Sequence, residues 1–179
     1  MSRLLLVRHC QSSGQHPDAA LTEAGHVQAH ALAERLCELP IDRIVASSYR
    51  RARATLAPLA GRLGLDLELD DRLVERRLSP APIDHWREVV ERSFSEPDFC
   101  VPGGESGRET LERGWKALEA IFDAGHTLPV VASHGQLISI VLHRIDPSFG
   151  FAGWQGMANP DLFWLERDAG GRVSWRRSP

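Results

Sequence analysis

Short apolar runs and amphipathic stretches alternate from the start of the chain. Leu4 to Val7 is a continuous apolar run between polar residues, the pattern of a strand buried on both faces. Thr22 is placed to cap a helix whose apolar positions Leu21, Ala24, Ala31, Leu32, Leu36 and Leu39 run up to Pro40. Ile44–Ala46 predicts a second buried strand. A helix from about Tyr49 to Leu63 follows, stopped by Gly64 and expected to kink or split at Pro58. Leu65, Leu67 and Leu69 alternate with acidic residues, as in a strand with one wet face. Between Arg72 and Glu105 four prolines mark the irregular part of the chain, with one short helix expected around Asp84 to Phe94. Ser106 and Glu109 form a capping box that opens a helix with a Leu111, Trp115, Leu118, Phe122 stripe. Pro129–Ala132 predicts another buried strand, followed by a helix from Gln136 to Ile145. Two strands, Leu162 to Glu166 and Arg172 to Trp175, joined by Asp168-Ala169-Gly170-Gly171, read as a terminal hairpin. The alternation predicts a three-layer α/β/α sandwich with a mainly parallel central sheet and a C-terminal hairpin.

Composition narrows the class. The 179 residues are expected to form one domain, 1–179, with 42% hydrophobic and 25% charged residues in the ordinary globular range. Lys and Arg number 21 against 24 Asp and Glu, so nothing points to a nucleic-acid binder. Lys116 is the only lysine. Cys10, Cys37 and Cys100 make no CxxC pair, which supports neither a disulfide framework nor a zinc site and fits a reducing compartment. The apolar run at the start is too short for a signal-peptide core, and no segment has the length of a membrane span. A cytoplasmic protein that binds no membrane is the expectation.

Three predicted strand ends carry polar residues that packing does not need. Arg8-His9-Cys10-Gln11-Ser12 follows the first strand, Ser47 to Thr55 the second, and Ser133-His134-Gly135-Gln136 the fourth. Taken singly, a histidine after a strand is commonly structural, and an arginine run is commonly a solvated helix face. In one parallel sheet, however, all three would gather at the carboxyl edge, where α/β proteins bind ligands. Two histidines among arginines suit phosphoryl transfer: cations and aligned N–H groups stabilise the equatorial oxygens, and nearby positive charge keeps an imidazole neutral and nucleophilic. A helix opening after His134 would add backbone donors.

At these residues the chain resembles the histidine phosphatase superfamily, also called the phosphoglycerate mutase-like family. Leu5-Leu6-Val7-Arg8-His9 with Gln11-Ser12 resembles its LVRHG(E/Q)(T/S) opening, and Leu21-Thr22-Glu23-Ala24-Gly25 with Gln28-Ala29 its LTxxGxxQA helix. Arg51-Ala52 with Thr55 is similar to RAxxT, Pro102 to Ser106 to the PGGES turn, Ser133-His134-Gly135 to the second SHG motif, and Asn159 to a recurrent asparagine. The resemblance implies a phosphomonoester hydrolase acting on a small phosphorylated metabolite. His9 would take the phosphoryl group, and Arg8, Arg51, His134, Gln15 and Gly135 would bind it. Glu75, in Leu73-Val74-Glu75, would be the acid, with Glu105 the second candidate. It implies no metal and no cofactor, a small phosphorylated substrate or inorganic phosphate as the only expected partner, and segment 72–105 as the variable pocket wall. The alternatives are a mutase, or a weakly active or non-catalytic phosphate-binding module. Cys10 stands where the family has glycine, so its side chain would crowd the phosphate or alter the backbone, and its thiol pKa would be lowered by Arg8 and His9. The other histidines, His16, His26, His30, His85, His126 and His143, are expected to be surface or packing residues.

Overall fold

The computed structural model describes residues 2–178. Its elements in chain order are β1 (Ser2–Arg8), α1 (Glu23–Leu36), β2 (Arg43–Ala46), α2 (Arg50–Leu63), β3 (Leu67–Leu69), a 3-10 turn (Asp71–Leu73), α3 (Trp86–Ser95), α4 (Gly107–Asp123), β4 (Pro129–Ser133), α5 (Gly135–Ile145), α6 (Phe151–Gln155), β5 (Asp161–Arg167) and β6 (Val173–Arg177). The six strands form one sheet in the order β3-β2-β4-β1-β5-β6. The first four are parallel, and β5 turns the other way against β1 and β6.

Successive side chains of β1 serve opposite faces, as the two-residue period of a strand requires. Leu4 and Leu6 join Val45, Val131 and Phe163 under α4 and α5, through Leu118, Ile121, Leu137, Ile138 and Val141. Leu5 and Val7 join Ile44, Ala46, Val130 and Ala132 under α1 and α2, through Leu32, Leu36, Leu56 and Leu59. The sheet is thus covered on both sides, which is why its central strands are unbroken apolar runs. Strand register aligns their carboxyl ends. Arg8 pairs with Ser133 and Ala46 with Ala132, so β1, β2 and β4 end at one level. The next residues, His9, Ser47 and His134, emerge side by side.

Local signals held at most boundaries. Thr22 Oγ1 accepts from Gly25 N at 3.0 Å, and the Ser106–Glu109 capping box is closed in both directions. Gly25 is needed for another reason, because a Cβ there would come 2.0 Å from the Gln11 carbonyl. Two expectations are corrected, and one short helix was not foreseen. Helix α1 ends at Leu36 rather than Leu39, since Pro40 disfavours helical backbone in the residue before it. Helix α2 runs through half-exposed Pro58 without splitting. Helix α6 has no counterpart in the sequence pattern, because five residues carry too little periodicity to be read.

Candidate active site

His9 is 5% exposed at the end of β1. Its Nδ1 lies 2.7 Å from the Cys10 carbonyl, which can only accept, so Nδ1 carries the proton and Nε2 keeps its lone pair. Arg51 Nε donates to that Nε2 at 3.2 Å. Asn159 Nδ2 donates to the His9 carbonyl at 2.6 Å and ties the β5 approach to the site. Burial lowers the His9 pKa to about 3; the Cys10 hydrogen bond opposes this, and the charges of Arg51 and Arg8 reinforce it. Burial therefore outweighs the arginines as the cause of neutrality.

His134 is wholly buried, its ring centroid 5.1 Å from that of His9. Its Nε2 pairs with Ser47 Oγ at 2.8 Å. Burial first, then the charges of Arg51, His9, Arg113 and Arg8, holds its pKa well below the usual histidine value. Both rings are neutral near pH 7.

Arg51, in the first turn of α2, is also wholly buried. Its Nη1 donates to the carbonyls of Gln15 at 3.1 Å and His16 at 2.9 Å. Thr55 Oγ1 donates to the Arg51 carbonyl at 2.8 Å and accepts from Cys10 N at 2.9 Å, fastening α2 to the loop after β1. Arg8 Nη1 donates to the Met157 carbonyl at 2.9 Å. Gly135 gives Arg8 room, since a Cβ there would sit 3.2 Å from its Nε. Burial lowers the pKa of both guanidinium groups and Glu75 opposes it, but they stay charged. Arg8 Nε, Arg51 Nη2 and His134 Nδ1 are buried without a hydrogen-bond partner. Unpaired buried polar groups are costly, and the two guanidinium N–H groups among them are open to an anion.

The two candidate acids are placed differently. Glu75 reaches α5: its Oε1 accepts from Arg76 N at 2.9 Å and Leu137 N at 3.2 Å, and its Oε2 from Gln136 N at 3.2 Å. The donors of α5 expected to face phosphate are thus partly taken by Glu75. Glu105 is held bidentately by Arg113, at 2.6 and 2.9 Å. Gln15 is exposed and meets Arg51 through its carbonyl.

Cys10 is corrected on both counts. Its side chain is fully buried with Leu21 and Ala29, against Ala54. No described residue other than glycine has a positive φ, so the backbone at Cys10 accepts a side chain. Burial pushes its thiol up to about 11, because desolvation disfavours the thiolate more than its neighbours favour it.

Tyr49 and Ser47 belong to the site although sequence reasoning assigned neither a role. The Tyr49 ring lies 5.1 Å from the Arg51 guanidinium carbon and 5.1 Å from the His134 ring. Their position just after β2 was the available signal. A surface cleft of about 330 Å³ beside Ile145 and Trp175 contains none of these residues. Among the described residues no three His, Cys, Asp or Glu side chains form a metal-holding group, and no helix is long and apolar enough to cross a membrane.

The sequence model of the histidine phosphatase superfamily (branch 1) matches residues 4–176. A protein named "Probable phosphoglycerate mutase GpmB" from Erwinia tasmaniensis is 30% identical over 164 residues, covering 81% of this chain and 75% of that one. Its namesake from Cronobacter sakazakii is 33% identical over the same shares. A mycobacterial glucosyl-3-phosphoglycerate phosphatase, solved with inorganic phosphate, superposes with a TM-score of 0.78 at 27% identity, covering 100% of this chain and 96% of that one.

Proposed function

Because the chain belongs to the histidine phosphatase superfamily, branch 1, we propose that it hydrolyses a small phosphomonoester through a phosphohistidine on His9. The observation that carries this is a neutral His9, proton on Nδ1 and lone pair on Nε2, buried beside two guanidinium groups with unpaired N–H donors. His9 Nε2 attacks phosphorus as the ester P–O bond breaks. Phosphoryl oxygens draw Arg51 Nε from Nε2 and fill the open donors of Arg8 and Arg51, and His134 Nδ1 donates with Nε2 accepting from Ser47. Gly135 lets the Arg8 side chain lie against α5, and the Gln15 carbonyl holds Arg51.

Glu75 is the acid. Its Oε2 has one N–H partner and keeps a lone pair for the proton that goes to the leaving oxygen. It then takes a proton from the water that attacks phosphorus and breaks the P–N bond. Segment 72–105 forms the substrate wall, anchored by buried Arg76 through the Glu105 carbonyl at 2.8 Å and Ser93 Oγ. The reading is of one catalytic domain that needs no cofactor and acts in the cytoplasm, a reducing compartment that three free cysteines fit. The test is rapid quenching with phosphomonoester: an acid-labile, alkali-stable phosphoryl adduct on His9 is expected. Its absence, or substantial turnover by His9→Ala, refutes the mechanism. The mutase names of two relatives favour a second reading, which 3-phosphoglycerate isomerisation primed by bisphosphoglycerate would reveal.

A further inference from the structure

Glu75 is held at both ends, and only its side-chain end is explained by the site. The main-chain end is held by Arg113 of α4, whose guanidinium is nearly spent on one task. Nε and Nη2 grip Glu105 at 2.6 and 2.9 Å, and Nη1 donates to the carbonyls of Arg72 at 2.8 Å and Val74 at 2.7 Å. The Val74 carbonyl belongs to the peptide bond that begins Glu75. Between those two carbonyls, Leu73 O accepts from Ser133 Oγ at 2.7 Å, so the turn is pinned from α4 and from the end of β4.

A plain surface ion pair would not need this arrangement. Both side chains are about four-fifths buried, at 20% and 18% exposure. Glu105 orients the fork, and the fork fixes a turn whose next residue carries the carboxylate. The distance from strut to carboxylate is set as well. At Gly114, the neighbour of Arg113, a Cβ would come 3.2 Å from Leu137, so α4 and α5 meet closely there. Leu137 N is one of the groups that hold Glu75 Oε1.

We propose that Arg113 is a positioning residue for proton delivery: braced by Glu105, it fixes the main chain at Arg72 and Val74 and thereby sets where Glu75 meets the leaving oxygen. This rests on the reading of Glu75 as the acid. It also gives Glu105 a role other than acid.

Leaving-group dependence tests it on the full chain. Aryl phosphates leave as stabilised anions and need little protonation, whereas alkyl phosphates need it. kcat and KM are measured with p-nitrophenyl phosphate and glycerol 2-phosphate for wild type, Glu75→Gln, Arg113→Gln, Arg113→Lys, Glu105→Gln and the Glu75→Gln/Arg113→Gln double variant. Glu75→Gln should slow the alkyl substrate by about 10²–10⁴-fold and the aryl substrate far less. Arg113→Gln should lower kcat on the alkyl substrate by about 10–10²-fold, the scale of a small misplacement, again with a much smaller aryl loss. Arg113→Lys should recover part of this, because an ammonium reaches the carboxylate and one carbonyl but not the whole set. In the Glu75→Gln background, Arg113→Gln should add no further selective loss. Equal losses on both substrates, or a further selective loss in the double variant, would overturn the proposal and leave Arg113 a stabilising residue. A non-selective Glu75→Gln would overturn the acid reading, and the proposal with it. If Arg113→Gln does not fold, Arg113→Lys and Glu105→Gln decide by the same ratio.

Discussion

Acidification from pH 7 to pH 5 should destabilise the fold mainly through the two histidines of the site. Burial depresses the pKa of His9 to about 3 and that of His134 well below the usual value, whereas an unfolded chain protonates both near 6.5. Below pH 6.5 the unfolded state therefore binds protons that the folded state refuses. Stability is lost as pH falls through this window, until the folded pKa values are reached. For His9, neutral throughout this range in the fold, the loss between pH 7 and pH 5 is about 2 kcal/mol, and His134 adds a loss of the same sign. Urea unfolding at pH 7, 6 and 5, in buffers free of phosphate and sulfate, measures it. His9→Asn keeps a side-chain N–H for the Cys10 carbonyl but cannot titrate. It should be less stable than wild type at pH 7, yet lose about 2 kcal/mol less on going to pH 5. An unchanged pH dependence in His9→Asn, or an NMR titration of His9 near 6.5 in the free enzyme, would refute the reasoning.

Single contacts set the other expectations. Arg51→Lys replaces a fork that serves His9, Gln15 and His16 with one ammonium, so kcat/KM on p-nitrophenyl phosphate should fall by about 10²-fold or more, whereas exposed Arg53→Lys should not approach this. Cys10→Gly should keep kcat/KM near wild type but lower the thermal midpoint, because it empties a fully buried position beside Leu21 and Ala29; strong loss of activity in a folded protein would put the thiol back into the chemistry. Tyr49→Phe should preserve activity and Tyr49→Leu lower kcat/KM by about 3- to 30-fold, since a ring face against a buried guanidinium is worth about 0.5–2 kcal/mol. Equal activity in the two variants would make the ring contact incidental.

The amino-acid sequence alone determined the parts whose cause is local or periodic. Continuous apolar runs marked β1, β2 and β4, because strands covered on both faces have no polar side. The caps at Thr22 and Ser106 were legible, since a helix start is decided by the few residues around it. His9, Arg51 and His134 were legible as polar residues just past those runs, and the parallel register brings them together. Tertiary structure decided what depends on segments far apart in the chain. Glu75 met the start of α5 some sixty residues on, which no pattern around Leu73-Val74-Glu75 encodes. Cys10 turned into a small apolar cluster, and burial overrode the charge of its neighbours and reversed the expected direction of its thiol pKa. Such side chains sit in loops anchored from afar, here by Thr55 on the backbone of Cys10 and by Arg113 on the turn before Glu75. Those anchors lie tens of residues away in the chain, so they exist only once the sheet has set its register.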